Sequence, residues 1–188
     1  MRPALRAILL PLAGLALAAC GAQEPVTDSE KALFVRVSDL AQFGVRYPNA
    51  EAAETFSKSK QLDGSYEITY RFETPSGESR ALFIHGSVSV GREMTDAMLA
   101  ESAEKIGLLV AFKKSGVQER EVAGVSPGKL TLLVKDEQPI GNVFTLRDGA
   151  KTHFFVMSGL YVKDPAIWQK LMGPKLEQLS RYSPAAKG

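Results

Sequence analysis

The alternation of apolar and polar side chains is clearest in the middle of the chain. Between residues 66 and 73 every second side chain is apolar, and the side chains between them are polar or charged. This pattern predicts a β-strand with one buried and one solvent-facing side. A turn signal at residues 74–77 follows, and the alternation returns over residues 82–90. The two segments therefore predict an antiparallel hairpin.

A helical pattern follows this hairpin. Thr95 and Asp96 suit the start of a helix, where a capping hydroxyl and an acidic residue are favoured. Lys113, Lys114 and Gly116 suit its end. The apolar residues between are spaced four, three and four apart, which predicts one buried stripe of Leu99, Ala103, Ile106 and Val110.

Strands dominate the next part of the chain. Residues 117–122 and 130–134 predict two of them, and Asp148-Gly149 predicts the turn of a hairpin between residues 140–147 and 151–158. Residues 154–157 are apolar on both faces, so their strand is predicted to be central.

A final helix is predicted to start at Asp164-Pro165, where aspartate caps the helix and proline occupies its first turn. Gly173-Pro174 is expected to kink or interrupt this helix. Its inner face is predicted to consist of Ile167, Trp168, Leu171, Met172, Leu176 and Leu179.

The first part of the domain is ambiguous. Thr27 and Glu30 have the spacing of a capping box, and Leu33, Val37 and Leu40 share one helical face. The residues at 33, 35 and 37 also alternate as in a strand. A short helix is favoured here, a strand is the alternative, and residues 50–60 show no clear pattern.

The order of elements predicts an α+β fold, an antiparallel β-sheet flanked by two main helices. We expect one domain over residues 28–182 and a disordered tail over residues 183–188. Over residues 62–182 the element order, and above all the closing stretch Gly141–Tyr182, resembles the PsbP-like fold. The resemblance implies a layered domain and a non-enzymatic binding or assembly role.

The N-terminus has the pattern of a targeting segment. Arg2 and Arg6 precede an uncharged stretch, rich in Leu and Ala, that ends at residue 19. Residues 1–19 therefore predict a signal peptide. The stretch is shorter than the roughly 20 apolar residues that span a bilayer.

The residues that close this segment, Leu17-Ala18-Ala19-Cys20, resemble the lipobox of bacterial lipoproteins. The resemblance implies cleavage before Cys20, lipid on its thiol and a lipidated tether over residues 20–27. More than one acyl chain is needed for stable anchoring. Gly21 replaces the aspartate that commonly retains such proteins at the inner membrane. The expected location is therefore the outer membrane, with the domain facing the periplasm.

Charge and cysteine content narrow the range of partners. Without residues 1–19 the chain has equal numbers of basic and acidic residues, 21 of each. This balance gives no indication of a nucleic-acid or anionic-membrane partner. Cys20 is the only cysteine, so a lipidated chain can form no internal disulfide.

Three patterns could indicate catalytic or metal-binding chemistry. Residues 124–128 match the G-x-S-x-G nucleophile elbow, but a strand-like run follows and Pro127 lacks the N–H that an oxyanion hole needs. A turn is the preferred interpretation. His85 and His153 are interpreted as solvated strand residues, and Met94 and Met98 as core residues, in preference to metal ligands. We expect no metal and no cofactor.

The aromatic residues are expected to pack mainly in the core, with an apolar ligand cleft as the alternative. They are Tyr66, Tyr70, Phe72, Phe144, Phe154, Tyr161 and Trp168. Tyr161 and Trp168 flank the start of the last helix, and each has a polar atom that needs a partner. These two form the candidate binding patch.

The function predicted from the sequence is that of a membrane-anchored, non-enzymatic interaction or assembly module with an envelope protein as partner. The alternative is a binding protein for a small apolar or lipid-like ligand. An enzyme of a type not evident in the sequence is the third hypothesis.

Overall fold

The computed structural model describes residues 24–74, 81–99 and 116–184. Within these ranges seven strands form one antiparallel sheet in the spatial order β1-β2-β3-β7-β6-β5-β4. The α+β class with an antiparallel sheet is confirmed, and β7 is central as predicted. The strands are Glu54–Lys60 (β1), Tyr66–Glu73 (β2), Phe83–Val90 (β3), Gln118–Glu121 (β4), Lys129–Lys135 (β5), Gln138–Asp148 (β6) and Lys151–Ser158 (β7).

Short helical segments precede the sheet. They are α1 (Asp28–Lys31), a 3₁₀ helix (Val37–Phe43) and α2 (Ala50–Ala53). The predicted capping box is confirmed, because the Glu30 N–H donates to Thr27 Oγ1 (3.3 Å) and the Thr27 N–H donates to Glu30 Oε2 (2.8 Å). The favoured helix is only one turn long, since the chain leaves helical geometry before Leu33.

One long helix, Pro165–Arg181, closes the fold and is called the C-terminal helix below. Asp164 caps it as predicted, accepting a hydrogen bond from the Ala166 N–H at 2.8 Å. The helix continues through Pro174, so the expected interruption does not occur. Buried Met172 and Leu176 on either side of the proline hold both halves of the helix against the core.

The second predicted main helix is described only over residues 96–99. Its predicted start is confirmed: the Met98 N–H donates to Thr95 Oγ1 at 3.2 Å, and the Leu99 N–H donates to the Thr95 carbonyl at 3.0 Å. The rest of this helix, with Lys113 and Lys114, lies outside the described residues. The same holds for the last four residues of the tail.

The main core lies on one face of the sheet, the inner face. The C-terminal helix and residues 24–47, the N-terminal strap, pack on this face. Phe34 of the strap lies 5.9 Å from the Tyr70 ring centroid, and Lys175 of the helix is 3.0 Å from Asp39 of the strap. Gly86 on β3 makes room for the strap, since a Cβ there would lie 2.6 Å from the Phe34 ring.

Candidate functional site

The two residues predicted as a binding patch occupy different environments. Trp168 is 1% exposed and belongs to the core, where its ring lies 5.2 Å from Phe144 and 5.7 Å from Phe155. Tyr161 is 46% exposed. The structure therefore does not bring the pair together on one surface, and only Tyr161 is available to a partner.

Tyr161 lines an open groove of about 390 Å³, called the apolar groove below. The groove lies between the 3₁₀ helix, the end of β7 and the first turns of the C-terminal helix. Ile167 is 40% exposed within it, although sequence analysis assigned this residue to the inner face of the helix. The other lining residues are Leu40, Phe43, Val45, Met157, Leu160, Val162, Lys163, Asp164 and Leu171.

The loop that carries Tyr161 is fixed at both ends. Gly159 has φ +91°, and a Cβ there would lie 1.9 Å from the Ala81 carbonyl oxygen, so only glycine fits. Fully buried Asn142 donates to the Val162 carbonyl (3.0 Å) and accepts from the Val162 N–H (2.6 Å). These contacts pre-organise the groove, so less conformational entropy is lost when a partner binds.

Two charged residues, Lys163 and Asp164, line the apolar groove. Lys163 Nζ lies 5.2 Å from the Tyr161 ring centroid, a cation–π distance. Asp164 is engaged in capping the C-terminal helix. An apolar floor with a narrow polar rim is the usual composition of a protein-interaction surface.

A second shallow concavity lies on the other side of Tyr161. It measures about 440 Å³ and includes Leu82, Phe83, Pro139 and Ile140. Tyr161 therefore lies between two mostly apolar surfaces and contributes to both. Together these surfaces occupy the end of the sheet where β7 ends and β3 and β6 begin.

The other candidate residues lie elsewhere. Ser126 lies in the connection between β4 and β5, and a strand, not a helix, follows it, as sequence analysis inferred. The solvated assignment of His153 is wrong: the side chain is fully buried, with Nε2 3.1 Å from the Leu33 carbonyl oxygen. Burial lowers the pKa of His153 to about 4, which keeps the imidazole neutral at pH 7. The lipidation candidate Cys20 lies outside the described residues.

His85 lies on the strand next to that of His153 but on the opposite face of the sheet, and it is half-buried. Burial, reinforced by the charge of Arg71, lowers the pKa of His85 to about 4. Met94 is buried as predicted, and Met98 is half-buried. Among the described residues no group of three or more His, Cys, Asp or Glu side chains is placed to hold a metal ion.

Sequence reasoning missed most of the apolar groove. The spacing of Leu33, Val37 and Leu40 indicated a helical face, but the groove residues beside Leu40 on β7 and the C-terminal helix lie more than 100 residues later in the chain. Ile167 was identifiable in principle, because it precedes Trp168 and adjacent helical residues point about 100° apart.

Comparisons with known proteins add no assignment: no protein-family model, curated protein or solved structure matches this chain. In the part of the chain that the structure describes, no helix is long and apolar enough to cross a membrane.

Proposed function

We propose that this chain is a membrane-anchored envelope lipoprotein whose domain acts as a non-enzymatic interaction or assembly module. Lipid on Cys20, within the lipobox-like sequence, supplies the anchor, most simply at the outer membrane with the domain in the periplasm. The apolar groove beside Tyr161 supplies the surface for an envelope protein. The observation that carries this proposal is the pre-organised, exposed apolar surface around Tyr161 and Ile167.

The position of the anchor favours a protein partner. The Glu24 N–H donates to the Lys58 carbonyl at 3.3 Å, and the Glu24 carboxylate lies 3.5 Å from Lys58 Nζ. Cys20 lies four positions before Glu24, a span of at most about 14 Å. On the sheet, Lys58 of β1 pairs with Ile68 of β2. Strand β2 ends five residues later, at Glu73, and this end of the sheet lies beside the concavities around Tyr161.

This arrangement separates Lys58, which holds Glu24, from the end of the sheet beside these concavities by about 16 Å along the strands. A lipid attached at residue 20 therefore holds the end of the sheet near Lys58 close to the membrane, and the groove faces the envelope space. A surface in that position is accessible to another envelope protein. It is poorly placed to take lipid from the membrane that holds the anchor.

Site-specific photo-crosslinking in the native envelope tests the interaction. A photoreactive residue at Ile167 should give a discrete crosslinked protein, because this side chain lies inside the groove. The matched control is Gln169, exposed two positions along the same helix and outside the groove. Equal crosslinking at both positions, or none at Ile167, would contradict the proposed use of the groove.

The second candidate function is binding of a small apolar or lipid-like ligand. It is favoured by the volume of the groove, about 390 Å³, which lies in the range of about 300–1,000 Å³ that is typical of small-molecule sites. Mass spectrometry of the protein released from its membrane would detect a co-purified ligand. A ligand that is lost on Ile167→Asp substitution, with folding retained, would favour this function over a protein partner.

The anchor is tested separately by the intact mass of the protein extracted from its native membrane. We expect a chain that begins at Cys20 and carries acyl chains, and a Cys20→Ala variant that lacks them. An unmodified soluble chain would refute the lipoprotein assignment and leave the groove proposal intact.

The finer fold assignment belongs to the same proposal. A second main helix that continues from residues 96–99 would cover the outer face of the sheet and complete a PsbP-like layered domain. The buried outer-face residues Thr131, Leu133, Phe154 and Val156 support it, because an antiparallel sheet exposed on one side carries polar residues there.

A further inference from the structure

The outer face of the sheet carries a second concavity, called the polar groove below. It has a volume of about 550 Å³ and lies mainly on β2 and β3, turned away from the C-terminal helix. Its cross-strand pairs are Arg71 with His85, Thr69 with Ser87, and Glu67 with Ser89. These side chains alternate with the buried residues of the inner face, so the strands themselves aim them into one surface.

Several polar atoms in this groove are incompletely paired. The hydroxyl of Thr152 is buried and has no hydrogen-bond partner, and the same is true of Nε of Arg92. Ser87 donates to Glu67 Oε1 at 3.2 Å. Buried polar atoms without partners are rare in folded proteins, because burying them unpaired costs free energy. A ligand with its own donors and acceptors would satisfy such atoms.

Among the residues that the structure describes, the charges in and beside the polar groove are nearly balanced. Arg71 is paired with Glu73 at 2.8 Å, and Arg92 lies 3.7 Å from Asp63. The lowered pKa of His85 leaves its imidazole neutral at pH 7, with one nitrogen that donates and one that accepts. This composition offers donors and acceptors together without a strong field of either sign.

We propose that the polar groove binds a neutral, hydroxyl-rich ligand of the saccharide class. Hydroxyl groups of a sugar both donate and accept, which matches the hydroxyls of Thr69, Ser87 and Thr152. Met94 and Leu99 at the edge of the groove provide apolar contact for the C–H faces of a sugar ring. The volume lies within the range typical of small-molecule sites. This proposal depends neither on the lipid anchor nor on the apolar groove.

Calorimetric titration of the intact protein tests the proposal. The protein is kept in a detergent without a sugar headgroup and titrated with a trisaccharide of N-acetylglucosamine and, separately, with maltotriose and with inorganic phosphate. We expect saturable binding of at least one sugar with a Kd of about 1 mM or lower. Thr69→Val should weaken that binding about threefold to tenfold, the effect of losing one hydrogen bond.

Thr145→Val is the matched control. Thr145 lies on the same face of the sheet, on β6, outside the polar groove, and the change removes the same hydroxyl. It should leave the Kd unchanged, and thermal unfolding should show that both variants are folded. Three results would overturn the proposal: no saturable binding of either sugar at about 10 mM, ten times the expected Kd; equal effects of the two substitutions; or saturable binding of inorganic phosphate alone.

Discussion

At the scale of single residues, His153 is a titratable side chain that lies fully buried on the inner face of the sheet. Tyr66, Ile68, Tyr70 and Phe72 are buried as predicted. His153 is buried with them, because it shares the inner face with Phe155 and Met157, two and four positions further along β7. The sequence does not reveal which residues of β7 share the inner face, because the strand is apolar on both faces and shows no alternation. Exposure of a histidine therefore could not be inferred from its distance to a turn.

The neutral state of His153 predicts a pH-dependent stability. The folded-state pKa of about 4 lies below the ordinary value of 6.5, so the folded protein binds fewer protons than the unfolded chain between these values. Stability is therefore full above pH 6.5 and is lost as the pH falls toward 4. The loss attributable to His153 is about 3 kcal/mol.

His153→Gln should remove this part of the pH dependence, because the amide can still donate to the Leu33 carbonyl and does not titrate. Urea unfolding of both proteins at pH 7 and pH 4.5 measures the difference. His85→Gln is a useful comparison, since His85 titrates in the same direction from a half-buried position. If the His153→Gln variant loses as much stability between pH 7 and pH 4.5 as the parent protein does, the assignment of the pH dependence to His153 is wrong.

At the scale of elements, those with local signals were predicted and those held by distant contacts were not. The caps at Thr27 and Asp164, and the turn around Gly149, depend on neighbouring residues and were identified. Strand β1 was missed because Lys58 occupies an inner-face position, where the alternating pattern requires an apolar residue. The ion-pair partners of Lys58 are Glu24, 34 residues earlier in the chain, and Glu30, 28 residues earlier.

The ion pair between Lys58 and Glu30 joins the N-terminal strap to the sheet. Lys58 Nζ lies 2.7 Å from Glu30 Oε1, and the Tyr182 hydroxyl donates to the same carboxylate oxygen at 2.6 Å. Burial opposes ionisation of Glu30, but the hydrogen bonds from Lys58, Tyr182 and Thr27 outweigh it and lower the pKa of the carboxyl. The stabilisation is present above the unfolded-state pKa and is lost as the pH falls through the lowered value.

Lys58→Met should destabilise the fold by about 3–5 kcal/mol, because it leaves the buried Glu30 carboxylate without its cation. Adding Glu30→Gln to Lys58→Met should recover part of this loss, since residue 30 then carries no buried charge. Urea unfolding at pH 7 measures both. Lys31→Met is the control, because its exposed pair with Asp28 should contribute less than about 1 kcal/mol. A double variant no more stable than Lys58→Met would argue against the ion-pair explanation.

At the scale of the whole molecule, the sequence indicated an anchor and a domain but not their relative geometry. That geometry depends on which strand holds Glu24, and β1 was not predicted. The structure shows Glu24 attached to β1 near the turn that joins β1 to β2. Leu62, at the tip of this turn, is fully exposed. The concavities around Tyr161 lie beside the opposite end of the sheet, so the short tether that we propose from Cys20 would fix the direction in which the domain faces.

This geometry, together with the proposed lipid anchor, predicts a defined orientation at the membrane. A lipidated Cys20 has no free thiol, so a new cysteine in place of Leu62 or Ile167 would be the only site for a fluorescent label. In vesicles that contain a quencher among the acyl chains, the label at position 62 should be quenched much more strongly than the label at position 167.

Insertion of about 20 Gly/Ser residues after Cys20 should abolish the difference, because the tether would then span roughly 25 Å as a flexible coil and allow the domain to rotate. Stronger quenching at position 167 with the natural tether would mean that the apolar groove faces the lipid. In that case the groove would be better explained by the small apolar ligand than by a protein partner. A preference for position 62 that persists with the long tether would instead show that the turn itself contacts the bilayer, with Leu62 as its apolar contact.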